Sequence, residues 1–201
     1  GAPALVVDAL DVRAADPFGT TLRGISFAVH AGEIVGIAGV SGNGQKELLA
    51  ALSGERTQAR KNAIVLCGKP AGRLGAAARR RRGLAFVPEE RLGRGAVPEM
   101  SLAENALLTT RGGGLVRRGF ISADAVRACA AKIIAAFGVR TPDPEAAARS
   151  LSGGNLQKFI VGREIMLKPK VLVVAQPTWG VDVGAAAFIR QKILDLRNDG
   201  V

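Results

Sequence analysis

Residues 33–48, EIVGIAGVSGNGQKEL, constrain this chain more than any other stretch. An apolar run, a glycine-rich turn and a helix start follow one another without a spacer. In that setting glycines let consecutive backbone N–H groups curl around an anion, and the helix N-terminus adds its partial positive charge. Gly39, Gly42 and Gly44 fall in the frame of G-x-x-x-x-G-K-[ST], but Gln45 stands at the lysine position and Lys46 at the hydroxyl position. A lysine there would reach the β/γ-phosphates, and the hydroxyl would ligate magnesium. Lys46 is displaced by one helical position, about 100° around the axis. Gly39, Ser41, Gly42, Asn43, Gly44, Gln45 and Lys46 are therefore candidate phosphate contacts, made chiefly through backbone amides. The alternative is an ordinary glycine-rich strand-to-helix turn.

The rest of the chain alternates short apolar runs with helical periodicity, which predicts an α/β fold. Strands are expected at Ala4–Val7, Gly24–Val29, Glu33–Ala38, Ile64–Cys67, Leu84–Val87 and Val171–Ala175. Helices are expected at Lys46–Ser53, Leu74–Arg82, Leu102–Leu108, Ala123–Phe137, Gly154–Leu167 and Gly184–Asn198. Within Ala123–Phe137, Val126, Cys129, Ile133 and Phe137 form one apolar stripe, with Ser122 placed as N-cap and Gly138 as C-cap. Arg91–Gly95 and Arg111–Gly114 read as exposed loops. The 201 residues and 48% hydrophobic content suit one core. No apolar run approaches the roughly 18 residues that cross a bilayer. Cys67 and Cys129 form no C-x-x-C pair and are expected to be reduced core thiols.

A second region sharpens the reading. Residues 151–158 are LSGGNLQK at the start of an expected helix, and VLVVAQPTWGVD spans 171–182. Separately, LSGG fits any capped helix start. Together with the glycine-rich loop, in this order and spacing, the chain resembles an ATP-binding-cassette ATPase over essentially its whole length. GVSGNGQKEL, AFVPEERLGRG, LSGGNLQKFIVGRE and AQPTWGVDVGA are similar to the second, C-terminal cassette of tandem ATPases in bacterial importers of simple sugars or nucleosides. The resemblance implies a P-loop core with a mixed or parallel sheet, N-terminal antiparallel strands and a small helical subdomain carrying the signature. On it, residues 1–201 form a single nucleotide-binding domain that stops before the strand bearing the switch histidine. Residues 97–165 approximate the helical subdomain.

The same resemblance assigns roles. Leu151, Ser152, Gly153, Gly154 and Asn155 match the signature, which contacts the γ-phosphate of a nucleotide held by the partner domain. Gly180 and Asp182 match the D-loop, and Phe18 is the nearest aromatic for stacking adenine, unless it only anchors its loop. Ala175 and Gln176 occupy the Walker B Asp and Glu positions, and Glu89 the Q-loop position. Alanine offers a metal no oxygen, and a glutamine amide is a poor proton acceptor. ATP is the implied cofactor, with Mg2+ weak or absent at this site. The implied partners are an N-terminal cassette half or homologous ATPase domain, transmembrane permease subunits, and indirectly a periplasmic or lipoprotein solute receptor. The implied location is the cytoplasmic face of the membrane. Trp179 would pack either at the dimer interface or, by preference, on the domain's own core, and His30 is expected to be a surface turn residue rather than the switch histidine.

Lys and Arg number 28 against 17 Asp and Glu, a net +11. Arg79–Arg82 look like a nucleic-acid or lipid contact or, by preference, a solvated helix face. With aromatics at 4%, base stacking has little support, and nucleic acid is not the expected partner. A nucleic-acid-linked cassette ATPase and a non-hydrolysing interaction module stand behind the transport reading.

Overall fold

The computed structural model describes residues 2–14, 17–110 and 114–201. The chain divides into two compact units. One comprises residues 1–86, 169–173 and 195–201, and the other residues 87–168 and 174–194. No helix among the described residues is long and apolar enough to cross a membrane.

The first unit is built on an antiparallel sheet ordered β2-β1-β3-β4, from β1 (Pro3–Val12), β2 (Leu22–His30), β3 (Ile64–Leu66) and β4 (Lys69–Pro70). β1 runs beyond the expected Ala4–Val7 because it contains a bulge. Leu5 and Val7 are buried, then the alternation changes phase so that Leu10 and Val12 face the same core. Ala9 sits at φ +39°, and the pairing with β2 shifts between Val7 and Leu10. Such an extra residue re-aims the strand without losing its buried face. The Ser26 hydroxyl accepts the Ala9 N–H at 2.8 Å. Leu48, Ala51 and Leu52 of helix α1 (Gln45–Ser53) pack into this core with Ile64, Leu66 and Leu84. Each such leucine or isoleucine contributes about 1.5–3 kcal/mol by burial.

Helix α2 (Ala76–Arg81) supplies a correction. Arg79 is not on a solvated face but fully buried. Its guanidinium donates to the carbonyls of Ala51, Leu52 (2.9 Å), Gly72 (3.1 Å) and Leu74 (2.9 Å). The first two are orphan carbonyls at the C-terminal end of α1. Burial lowers the Arg79 pKa to about 10, so the group stays charged at neutral pH. Arg81 remains exposed and Arg82 is half-buried, donating to the Pro70 carbonyl at 2.5 Å.

A second correction concerns Glu33–Ala38, which forms no strand. A strand exists only through the ladder with a neighbour, and this segment makes none among the described residues. Ile34, Val35 and Ile37 are 50%, 41% and 54% exposed. The strand expected at Leu84–Val87 is present as β5 and pairs with β8 (Val171–Val174). Gly83 O accepts from Val171 N and Val87 O from Ala175 N, so the two strands advance in the same direction.

The second unit is mainly helical, with α3 (Leu102–Thr109), α4 (Ala123–Ala136) and α5 (Gly153–Ile165), and a hairpin of β6 (Val116–Arg117) and β7 (Phe120–Ile121). Ser101 and Glu104 form a reciprocal capping box on α3. Ser122 caps α4 as expected, and Gly138 follows its end at φ +56°. Val126, Ile133 and Phe137 are buried, whereas Cys129 is half-buried, as is Cys67. A Cβ on Gly162 would lie 2.6 Å from the Phe137 ring, so α5 meets that ring through bare backbone. Arg163 and Glu164 form a buried pair at 3.2 Å, and Arg163 also donates to Asn105 O (3.2 Å) and Gly95 O (2.7 Å). Helix α6 (Val183–Asn198) follows the 175–182 segment. The Arg111–Gly113 part of the expected exposed loop lies outside the described residues.

Candidate functional site

In the first unit the glycine-rich loop leads into α1, with Gly42 at φ +90° and Gly44, the N-cap, at φ +98°. Both values favour glycine. A Cβ on Gly44 would also come within 2.4 Å of the Leu22 side chain, so the helix start sits directly on β2. The preceding loop holds the turn in place. Thr20 Oγ1 donates to Gly42 O at 2.5 Å, and Thr20 N donates to Glu47 Oε1 at 3.1 Å. Glu47 in the first turn suits the positive end of the helix.

Gln45 does not extend away from the loop. Its Nε2 donates to Val40 O at 3.1 Å and lies 2.6 Å from where a Gly39 Cβ would stand. The side chain at the lysine position therefore bonds the loop itself. Lys46 is exposed, as are Ser41, Gly42 and Asn43. Phe18, two residues before the Thr20 tether, is 99% exposed. His30 closes β2 and sits 3.2 Å from Glu33, whose carboxyl is held below its usual range by the His30 backbone N–H.

The second unit gathers the remaining candidates. Ala175 is buried, its N–H bonded to Val87 O at 2.9 Å, and no oxygen-bearing side chain stands there. Gln176 adopts φ +42°, and its Nε2 donates to Glu89 Oε1 at 3.0 Å. Trp179 N returns to Gln176 O at 3.1 Å, which folds Gln176–Trp179 into a turn. The Trp179 ring is 70% exposed, contrary to the expectation that it packs on the domain itself. The turn aims it outward.

Ser152 is the N-cap of α5, and its Oγ accepts from Asn155 N (3.4 Å) and Asn155 Nδ2 (3.0 Å). Asn155 Oδ1 in turn accepts from Arg140 N at 2.9 Å. Gly153 lies against the 180 region, a Cβ there falling 3.4 Å from Gly180 O. Gly154 is buried, and its Cβ would stand 2.8 Å from Asp182 Oδ2. Asp182 Oδ1 accepts the Ala185 N–H at 2.8 Å, beginning α6. That bond, with a smaller contribution from the Lys158 ammonium, holds the Asp182 carboxyl below its ordinary range. Leu151–Asn155 and Gly180–Asp182 are thus one packed feature, and Glu89 joins Gln176.

Sequence reasoning assigned no role to Thr20 or Arg91, and the wrong one to Arg79. Arg91 Nη1 donates to Trp179 O at 2.6 Å. Its only sequence signal was its place in the AFVPEERLGRG stretch, among several other charged residues.

Comparison with known proteins agrees with this geometry. The chain is 40% identical over its whole length to the Guanosine import ATP-binding protein NupO of Bacillus subtilis, of which it covers 39%. It is 40% identical, over 89% of its length, to the Ribose import ATP-binding protein RbsA 1 of Rubrobacter xylanophilus, of which it covers 36%. It therefore spans well under half of these relatives. Among solved structures, a dimeric ATP-binding cassette in a post-hydrolysis state with ADP and Pi matches with a TM-score of 0.77 at 19% identity, over 98% of this chain and 84% of that one. A nucleotide-free ATP-binding cassette matches at 0.75 and 22% identity, over 100% of this chain and 79% of that one. These two share the fold. The family match runs over residues 22–179, taking in both the glycine-rich loop and the capped start of α5, and the chain belongs to the ABC transporter family.

Proposed function

We propose that this chain is an ATP-binding cassette of an importer for nucleosides or simple sugars, and that it serves chiefly by completing its partner's ATP site. The relatives whose names describe guanosine and ribose import support the solute class. In this reading it is the C-terminal cassette of a tandem protein, on the cytoplasmic face beneath transmembrane permease subunits, with a solute receptor acting through them. Residues 97–165 form the helical subdomain that carries the signature.

The observation behind the division of labour is a contrast. The Ser152–Asn155 helix start is capped and packed on Asp182, while the chain's own loop is bridged by Gln45 to Val40 O. A nucleotide phosphate fits the loop, whose shape depends on glycines at positive φ and not on a side chain. Gly39 and Ser41–Lys46 would hold that phosphate, and Phe18, exposed beside the tether, would meet the adenine. Magnesium does not fit the donor set. Lys46 stands at the hydroxyl position and Ala175 at the carboxylate position. Gln176 cannot accept a proton from water, and the Glu89 carboxylate is engaged by the Gln176 amide. The own site is therefore a nucleotide holder with little or no hydrolysis.

Ser152 and the amides of Gly153–Asn155 would face the partner's γ-phosphate. In the intact protein, Ser152→Arg places a bulky cation at this helix start. Steady-state ATP turnover should fall by about 100-fold or more. Unchanged turnover would overturn the assignment of the active site to the partner.

A further inference from the structure

We infer that Arg91 is a positioning residue that fixes the signature start to the D-loop, setting both for the partner's nucleotide. The inference rests on the reading above that Ser152–Gly154 acts on that nucleotide. Arg91 Nη1 donates to Trp179 O at 2.6 Å. Its Nη2 lies 3.2 Å from the Cβ position of Gly180 and 3.5 Å from that of Gly153. The guanidinium thus lies against two glycines, one from each motif; a Cβ at Gly180 would press on it, while one at Gly153 would stand at ordinary contact distance. A planar cation that bonds one loop and packs on the other is what arginine supplies and lysine does not.

The base of Arg91 is itself fixed. Arg91 O accepts from Ala96 N at 2.7 Å, and Glu90 O accepts from Gly95 N at 2.9 Å, closing the turn. Gly95 O is held at 2.7 Å by buried Arg163, one of the last residues of α5. The turn is therefore tied to α5 near its C-terminal end through Arg163 and lies against its first residue through Arg91. Two positions before Arg91, Glu89 takes the Gln176 amide. One short loop thus grips the Gln176–Trp179 turn at both ends and the signature start. Displacing that turn pulls on Gly153, and the reverse holds.

The test uses the intact protein with three variants, Arg91→Ala, Arg91→Lys and Ser152→Arg. With Arg91→Ala, kcat for ATP should drop about 10- to 100-fold while KM changes less than about twofold, because orientation is lost and not nucleotide binding. Arg91→Lys should recover only part of kcat. Amide hydrogen exchange at Gly153–Asn155 and Gly180–Asp182 should accelerate together in Arg91→Ala, with α4 unchanged. A purely structural role would instead lower the thermal midpoint and speed exchange throughout the unit. If Ser152→Arg stops turnover and Arg91→Ala does not, the positioning role is wrong and the partner-site reading stands. If Ser152→Arg leaves turnover intact, the partner-site reading fails, and the exchange result alone decides whether Arg91 links the two motifs. Independent exchange at the two segments would refute the link in every case.

Discussion

At the residue scale, single atoms decide which positions tolerate change. Asp182 caps α6 through Ala185 N, and a Cβ on Gly154 would stand 2.8 Å from its Oδ2. Its carboxyl is held below the ordinary 3.8, first by the Ala185 N–H bond. A depressed folded-state pKa means the ionised form contributes stability above the unfolded value, and the contribution is lost as pH falls through the folded value. Asp182→Asn keeps an acceptor oxygen but no charge. Thermal midpoints of the two proteins should therefore differ at pH 6, with the wild type higher. They should converge as the pH is taken well below 3.8. A gap that stays constant across that range would show that the cap does not depend on ionisation. The glycine pattern and the Ser122 cap were legible because a helix end needs a local acceptor, and local needs are written in local sequence. Arg91 was not, because its partners Trp179 and Gly153 are distant in the chain and a lone arginine carries no periodicity.

At the element scale, the helix that starts at the glycine-rich loop is stabilised from its other end. Arg79 stands in a run of four arginines, and charge patterning alone placed all four in solvent. The structure instead drives the first one into the core, because the C-terminal carbonyls of α1 need a donor that its own sequence, lacking a basic last turn, does not provide. Arg79→Ala would leave those carbonyls buried without partners beside a cavity, at a cost of about 3 kcal/mol or more. Arg79→Lys, with three donors on one nitrogen in place of a fork, should lose less than Arg79→Ala but not match the wild type. Urea unfolding midpoints would rank the three proteins, and equal midpoints for Arg79→Ala and the wild type would remove the capping role. The Glu33–Ala38 segment shows the opposite failure of sequence reasoning. Its apolar run has strand character, but pairing is decided by a neighbour, and no period in the segment itself reports whether one is present.

At the scale of the whole molecule, each unit carries positions that the proposed function reads as departures from a hydrolytic site. Gln45 and Lys46 belong to the first unit, and Glu89, Ala175 and Gln176 to the second. Glu89 and Gln176 also fit one another. The carboxylate and amide at 89 and 176 form a 3.0 Å hydrogen bond with Glu89 as acceptor. Restoring a carboxylate by Gln176→Glu alone would place two acids at that distance, which cannot both ionise comfortably. The variant should therefore have a lower thermal midpoint than the wild type at pH 7. The deficit should shrink near pH 4, where one proton can be shared between the two oxygens. Combining it with Glu89→Gln restores a donor opposite an acceptor and should return the midpoint at pH 7. Ala175→Asp is harder, since the methyl it replaces is buried and the new carboxylate would have no partner. Because groups acting as a unit are strongly non-additive, none of these reversals should raise phosphate release at the chain's own loop while Gln45 still bridges Val40. A single substitution that did so would mean the loop tolerates hydrolysis without a lysine, and the division of labour proposed for this cassette would be wrong.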